Sequence, residues 1–581
     1  MHLKKQKRKD GRVYLSISEN YREDGKARTR HVESIGYVDE LVEEGCPDPV
    51  AFWEDEVARR NEAARRAAAP IMVKFSADRR IDRRDGEARI ELGAAVPSAY
   101  FHRDLGIWRF FERKRTARGF DYDPCRILEL LVWNRLSSPS SKKVAWEARG
   151  RFPRKCDFTL DDVYRSLDYL DRNADALVRH MNASLEEVRG RRDRTRLYYD
   201  VTNYYFEVED EDEGEDGLRR RGVSKEHRPN PIVQMGLLLD SCGIPLDYEI
   251  FPGNVNDPLT MLPVMRKAGL RRDRDDPDAE RVIMVADKGL NTSDNIAACT
   301  LEDNGFIISQ SVRRATKALK AWVLDGDGYA RNESGTFKVK SRISDKTVRV
   351  RGEDGTLHSV KVPVKEVAFW SRDYMERSRH ERAKVVEKST RAIASGAMSS
   401  AVAKTSVRYA KDMPVVRETG EAASHNWTLD EDRIAADEAL DGYYCIVTSE
   451  QEMDDRDIIE AYRGLWRIEE SFRVMKGDLD ARPVYVSREE HIRAHFLVCY
   501  VALLIMRLMQ LDTGRKHSAT EVSEALRNIV GHRLDANMYL FDYRTDTTDE
   551  LARAAGIDLS RQVLTKGQIA GIMADVRKPG N

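Results

Sequence analysis

Cysteine is scarce and scattered: seven residues, at 46, 125, 156, 242, 299, 445 and 499, with no CxxC pair among them. An odd, widely spaced set excludes a disulfide framework or a cysteine-ligated zinc site as the organising device. Long apolar runs are missing too. The stretch "FLVCYVALLIM" (496 to 506) is too short to span a bilayer, and the basic N-terminus lacks the apolar segment of a signal peptide. The expected setting is a reducing compartment, the cytoplasm. Nor is there an excess of either charge: 98 Lys and Arg stand against 99 Asp and Glu, a formal −1, so total charge names no partner.

Charge of both signs is abundant, 34% of residues, and unevenly placed. Basic clusters occur at "KKQKRKDGR" (4 to 12), "RGRRDRTR" (189 to 196) and "RRR" (219 to 221), and an acidic block at "EVEDEDEGED" (207 to 216). Any one such run, taken alone, is a solvated face or a loop. At 581 residues and about 150 residues per domain, three to five structural units are expected.

Residues 1 to 45 alternate apolar and polar, which predicts a small basic β-unit. From 50 to 190 the pattern is helical, as in "DPCRILELLVWNRLSS", where Ile127, Leu128, Leu130, Leu131 and Trp133 form an apolar stripe. Strand patterns follow: "RLYYDVTNYYFE" (196 to 207), then "PIVQMGLLLD" (231 to 240) and "GIPLDYEIF" (243 to 251) as a hairpin, a helix from Asp257, and "RVIMVADKGL" (281 to 290). A short helix leads to "GFIISQS" (305 to 311). The order strand, hairpin, helix, strand, helix, strand predicts a ribonuclease-H-like α/β core with a mixed sheet. The division expected is a basic N-terminal region that binds DNA (1–95) and a helical region for DNA binding or dimer contacts (96–190). The core follows in two parts (191–315 and 441–510) around a β-rich insertion (316–440), before a helical C-terminal region (511–581).

Asp200 falls in the first core strand and Asp287 at the end of a later one. In a ribonuclease-H-like sheet these strands are neighbours, so the two carboxylates can converge. The stretch "YRGLWRIEESFRVMK" (462 to 476) adds a third, because Tyr462, Glu469 and Lys476 recur at an interval of seven. At about 100° per residue that interval falls only about 20° short of two full turns, so the three share a helix face, with Arg473 on the same side. Three convergent carboxylates suit hard divalent cations, and a pair of Mg²⁺ ions can activate a water or a 3′-hydroxyl against a phosphodiester. Lys476, Arg473 and Tyr462 would then line the approach of DNA phosphates.

"YYDVTNYYFE" around Asp200, "VADKGL" around Asp287 and "YRGLWRIEESFRVMK" together resemble the DDE transposases of bacterial insertion sequences. The branch is the one with a Tyr-Arg-Glu-Lys signature. "SKEHRPNPIVQMGL", "PGNVNDPLTM" and "RPVYVSREEHIRAH" extend the likeness over most of 195 to 510. One position departs from the signature: Leu465 stands where the arginine is expected. The resemblance implies cut-and-paste chemistry on double-stranded DNA at terminal inverted repeats, strand transfer to target DNA and a homodimeric synaptic complex. It also implies two Mg²⁺ ions, replaceable by Mn²⁺, with Asp200, Asp287 and Glu469 as catalytic metal ligands. Lys225 and His227, in "SKEH", are carried over as DNA contacts beside Tyr462, Arg473 and Lys476. In relatives the insertion can help a flanking end form a hairpin, a tryptophan receiving a flipped base; Trp322, Trp370 and Trp427 are the candidates here.

Three other readings compete. A transposase-derived protein that binds DNA without catalysis would have no need of the intact carboxylates. A ribonuclease-H-like nuclease would share the chemistry. A metalloprotease reading rests on "HIRAH" (491 to 495), where Ile492 replaces the required glutamate; His491 and His495 are better read as helix-end or DNA-phosphate histidines.

Overall fold

In the N-terminal segment Leu15 and Ile17 alternate with serines and are fully buried. The alternation builds an antiparallel sheet of β1 (His2–Lys7), β2 (Val13–Glu23) and β3 (Lys26–Tyr37). Helix α1 (Pro49–Ala68) packs beside β1, joined to it by Lys5–Glu54 at 2.7 Å. The computed structural model describes residues 1–23, 26–68, 78, 88–117, 121–214, 217–224, 228–269, 281–351, 356–395, 408–414, 425–534 and 537–578. The chain forms two compact units, Met1–Ile81 and Asp82–Asn581.

The second unit begins with β4 (Arg89–Glu91) and a helical region. There α2 (Pro124–Ser137) starts on an Asp123 cap that accepts from the Arg126 N–H at 3.1 Å, and α3 (Leu160–Arg172) on a reciprocal Thr159–Asp162 capping box. The main sheet is built from β5 (Arg196–Tyr205), β6 (Ile232–Leu239), β7 (Pro245–Pro252), β8 (Ile283–Ala286) and β9 (Gly305–Gln310). The β6–β7 hairpin turns at Gly243, whose φ of 78° suits glycine. It continues with β10 (Ala330–Arg331), β11 (Phe337–Arg351), β12 (Leu357–Ser371) and β15 (Tyr443–Thr448). Between β12 and β15 come α4 (Arg372–Ala394) and a separate pair, β13 (Ala410–Pro414) and β14 (His425–Leu429).

The nine strands lie in the order β10-β11-β12-β15-β9-β8-β5-β6-β7. Strands β5, β8 and β9 are parallel and the others pair antiparallel. Segment 316–440 therefore extends the main sheet with its long strands. The cause is apolar: Val362, Val364, Val367, Ala368 and Phe369 of β12 are buried against the core.

Beyond the sheet come α5 (Asp455–Arg463), α6 (Trp466–Lys476) and α7 (Glu489–Asp512). Helix α7 is long and apolar enough to cross a membrane by length and composition, yet 94% of its most apolar window is buried inside the protein. It is the central core helix, which explains an apolar run with no polar face. Residues 511–581, expected to be helical, also supply β16 (Val530–Arg533), β17 (Met538–Phe541) and β18 (Val563–Thr565) before α8 (Lys566–Asp575). These strands complete a sheet β18-β17-β16-β4. Strands of three or four residues are too short to declare a period.

Each central strand is buried on both faces, and alternation sorts its side chains. Tyr198, Tyr204, Val285, Ile307 and Ile446 join the cluster that holds Leu465, Ile468, Phe472 and α7. Leu197, Tyr199, Val201, Met284, Ala286 and Ile308 pack on the opposite face.

Candidate active site and nucleic-acid groove

That alternation fixes where the acidic side chains go. Asp200 has the parity of Tyr198 and Tyr204, and Asp287 that of Val285, so both emerge on the α6–α7 face. In the parallel register Tyr199 pairs with Ala286, which sets Asp200 and Asp287 on the next rung of adjacent strands. Both are half-buried. Oδ1 of Asp287 accepts from the Lys288 N–H at 2.6 Å and from Ser309 Oγ at 3.2 Å.

Helix α6 lies along β5. Arg467 stands 5.7 Å from the Tyr198 ring and Lys476 5.4 Å from the Tyr204 ring. The part of α6 level with Asp200 is therefore the stretch between Arg467 and Lys476, which contains Glu469. Glu469 is exposed and pairs with no cation among the described residues. Burial foremost raises the pKa of Tyr444, with Tyr374, Asp287 and Glu469 adding to the rise.

The single helix expected for 462 to 476 is broken in two. Gly464 lies so close to β5 that a Cβ there would meet Tyr198 Oη at 2.1 Å. Around it the backbone tightens, with Leu465, Arg467 and Ile468 each donating to the residue three before at 3.0 to 3.1 Å. Glu469 and Lys476 thus share α6, while Tyr462 belongs to α5. Tyr462 still turns to the site, close to Ser309, and burial foremost, with Asp287 adding, raises its pKa. Leu465 is 8% exposed within the core, so the residue at the signature arginine position faces inward. Arg473 does not pair with Glu469; it reaches Glu470 at 3.7 Å from an exposed position. Lys225 and His227 lie outside the described residues.

The donor set is all carboxylate oxygen, which in kind suits Mg²⁺ or Mn²⁺. In arrangement it is open: among the described residues no group of three His, Cys, Asp or Glu side chains stands as a metal site.

Asp287 also marks one end of a groove of about 1390 Å³. Its walls carry Lys288, Arg313, Arg314, Lys346, Arg408 and Arg433, with Asp287 as the lone carboxylate among the described residues. Lys346 donates to Asn291 Oδ1 at 2.6 Å, and Arg408 pairs with Asp437 at 3.0 Å. Lys288, Arg314 and Arg433 are exposed and have no acidic partner among the described residues. None of these six was singled out from sequence; the Arg-Arg of "SVRRAT" after β9 was the one local signal available.

The basic runs behave differently. Arg189 pairs with Asp512 at 2.7 Å, Arg192 with the buried Asp240 at 2.8 Å and Arg194 with Glu186 at 2.7 Å. The Arg219 guanidinium pairs with Asp212 at 2.5 Å, so the acidic block neutralises it, while the Arg221 guanidinium donates to the Glu209 carbonyl at 3.0 Å. The histidines of "HIRAH" are structural instead of phosphate contacts. His491 approaches Asp168 at 3.1 Å, and buried His495 accepts from Lys142 at 2.7 Å and faces the Ala481 carbonyl at 3.1 Å. Among the tryptophans, Trp370 donates to the Asp441 carbonyl at 3.0 Å, and Trp322 lies under Arg342 at 4.2 Å.

Two family models match the chain. Residues 2–71 match the IS1634 family transposase N-terminal domain, and residues 219–505 match the transposase DDE domain. Asp287 and Glu469 fall inside the second match and Asp200 before it. No curated protein matches the chain. In order along the chain, these are matches to the N-terminal and the DDE domains of insertion-sequence transposases.

Proposed function

We propose that this protein cuts DNA at the terminal inverted repeats of an insertion sequence and joins the freed 3′ ends to target DNA, as a homodimer. Asp200, Asp287 and Glu469 are the catalytic carboxylates on this reading. The observation that carries it is the adjacent-rung placement of Asp200 and Asp287 on one sheet face, under the helix of Glu469, where a cationic groove begins. The strand order β7-β6-β5-β8-β9, with β8 and β9 parallel to β5, supports a ribonuclease-H-like core.

The three carboxylates would hold two divalent ions, which when bound supply an activated water or 3′-hydroxyl and neutralise the leaving oxygen. Glu469, exposed on α6, completes that set once DNA is seated. The residues of the chain position the substrate. Lys476 and Arg473 hold phosphates on the helix side, and Lys288, Arg314 and Arg433 hold them along the groove; Lys225 and His227 are further phosphate contacts on this reading. Tyr462, close to Ser309 beside Asp287, fixes the wall of the site. The exposed Lys4 and Lys7 of β1 suit the N-terminal unit to repeat binding.

The test is cleavage of a duplex carrying the terminal repeat, in Mg²⁺ or Mn²⁺. Wild type is expected to cut at the repeat boundary. Asp200→Ala, Asp287→Ala and Glu469→Ala are expected to bind the duplex and cut it at least about 100-fold more slowly, the scale for removing a group that stabilises transition-state charge. A variant that cuts at the wild-type rate removes its residue from the assignment. The buried Leu465 in place of an arginine favours a second reading, binding without catalysis, which prevails if wild type binds and does not cut.

A further inference from the structure

A second cationic concavity shares no residue with the groove at Asp287. It is a pocket of about 910 Å³ between the segment 149–157, with Arg126 of α2, and the segment 566–577 around α8. Arg126, Arg149, Arg154, Lys155, Lys566 and Arg577 line it over an apolar floor that includes Phe152, Ile569 and Met573, and Asp157 is its one carboxylate among the described residues. A single acid lies beneath. Buried Glu129 accepts from Ser98 at 2.8 Å, His102 at 2.9 Å and Arg126 at 2.8 Å, so its oxygens are already engaged.

Arg154 is the buried member of this set. Its side chain is 8% exposed and bonds through Nη2 to the Met573 carbonyl, but its buried Nε has no hydrogen-bond partner and lies 3.7 Å from Glu129. Arg149 stacks on Trp146 at 4.0 Å, which holds its guanidinium at the mouth. Lys566 and Arg577 are exposed and have no acidic partner among the described residues. Six cations gathered from three segments stand against two carboxylates, Asp157, which pairs with Lys155, and Glu129, which pairs with Arg126 and Arg154, and a multiply charged anion would offset the excess.

We propose that this pocket is a second DNA-backbone site, which seats phosphates away from the bond being cut. The assignment rests on the reading of the chain as a DNA-acting transposase, since the same chemistry would accept free phosphate. The two sources separate in solution. Binding of the full chain to a repeat-bearing duplex is measured across salt concentrations for wild type and for Lys566→Gln/Arg577→Gln. The double variant is expected to lower the slope of log K against log salt by about 0.9 for each phosphate that is no longer neutralised, about two in all. The swap Lys566→Arg/Arg577→Lys is expected to restore it. An unchanged slope overturns the proposal. So does a wild-type melting temperature raised by inorganic phosphate and not raised in the Gln variant, with DNA binding unaltered, because the occupant is then a free anion. A duplex cut normally with an unchanged slope removes this site and leaves the proposed activity standing. A slope that falls in a wild-type background that never cuts does the reverse.

Discussion

The arginines of residues 189–196 and the cations around the groove at Asp287 are the same kinds of side chain, and the fold treats them differently. Arg189, Arg192 and Arg194 each meet a carboxylate within 2.8 Å, and Arg192 does so in the interior, 8% exposed. Lys288, Arg314 and Arg433 come from three separate segments, remain exposed and meet none among the described residues. Density of charge along the chain therefore says little about charge available to a ligand. A run of arginines close to acidic partners is structural glue, whereas cations brought together from distant segments without counter-charges form a field that only a ligand neutralises.

The comparison fails most visibly if the run is not structural. Arg192→Ala leaves Asp240 as an uncompensated buried charge and takes away donors to the Ile244 and Pro245 carbonyls at 2.8 and 3.0 Å. A loss of about 3–5 kcal/mol is expected, read from the urea midpoint. A loss below about 1 kcal/mol would place the run with the exposed cations.

Lys142 is an intermediate case, a buried cation whose partner, His495, is uncharged. Burial lowers Lys142 to about 7 and puts His495 well below its usual range. Between pH 7 and about 10.4, the ordinary lysine value, the unfolded chain holds a proton that the folded one has released, so stability rises with pH across that window. Below about 6.5 the unfolded chain protonates His495 as well, and stability falls further. Thermal unfolding followed by circular dichroism should show that rise between pH 7 and 9 in wild type and lose most of it in Lys142→Met. An equal rise in both would mean the buried amine is not its source.

Much of this was legible because period and position carry it. Asp287 ends an apolar run, Asp200 sits within one, and a hairpin separates them, so their convergence followed from strand order alone. The break at Gly464 was not legible, because its cause is Tyr198 on a strand far upstream. The inward turn of Leu465 follows from the same contact. The groove was invisible for a related reason: its walls come from the loop after β8, the end of β9, β11, α4 and the segments around Arg408 and Arg433, which only the fold brings together. The sheet between β4 and β16 was hidden by strands too short to show alternation.

The groove itself gives the next effect in size. In Lys288→Gln/Arg314→Gln/Arg433→Gln the salt dependence of duplex binding should weaken by roughly 0.9 per phosphate released, close to three in all, with the urea midpoint unchanged. The reverse pattern, reduced stability and a retained slope, would move these cations into the class of Arg192.

Arg473 is the finest probe, because it sits between the two classes. Its approach to Glu470 is long, 3.7 Å, and exposed, so Arg473→Ala should cost less than about 0.5 kcal/mol in stability. Its place on the exposed side of α6, one turn after Glu469, makes it the arginine best placed to serve where Leu465 faces the core. Arg467 is the rival, yet its guanidinium is engaged at Tyr198. Arg473→Ala should therefore slow strand cleavage while leaving the urea midpoint alone, and Arg473→Lys should recover part of the rate by keeping the charge without the fork geometry. If cleavage is untouched in Arg473→Ala and abolished in Arg467→Ala with stability preserved, the arginine function has moved to the Tyr198 side of the helix.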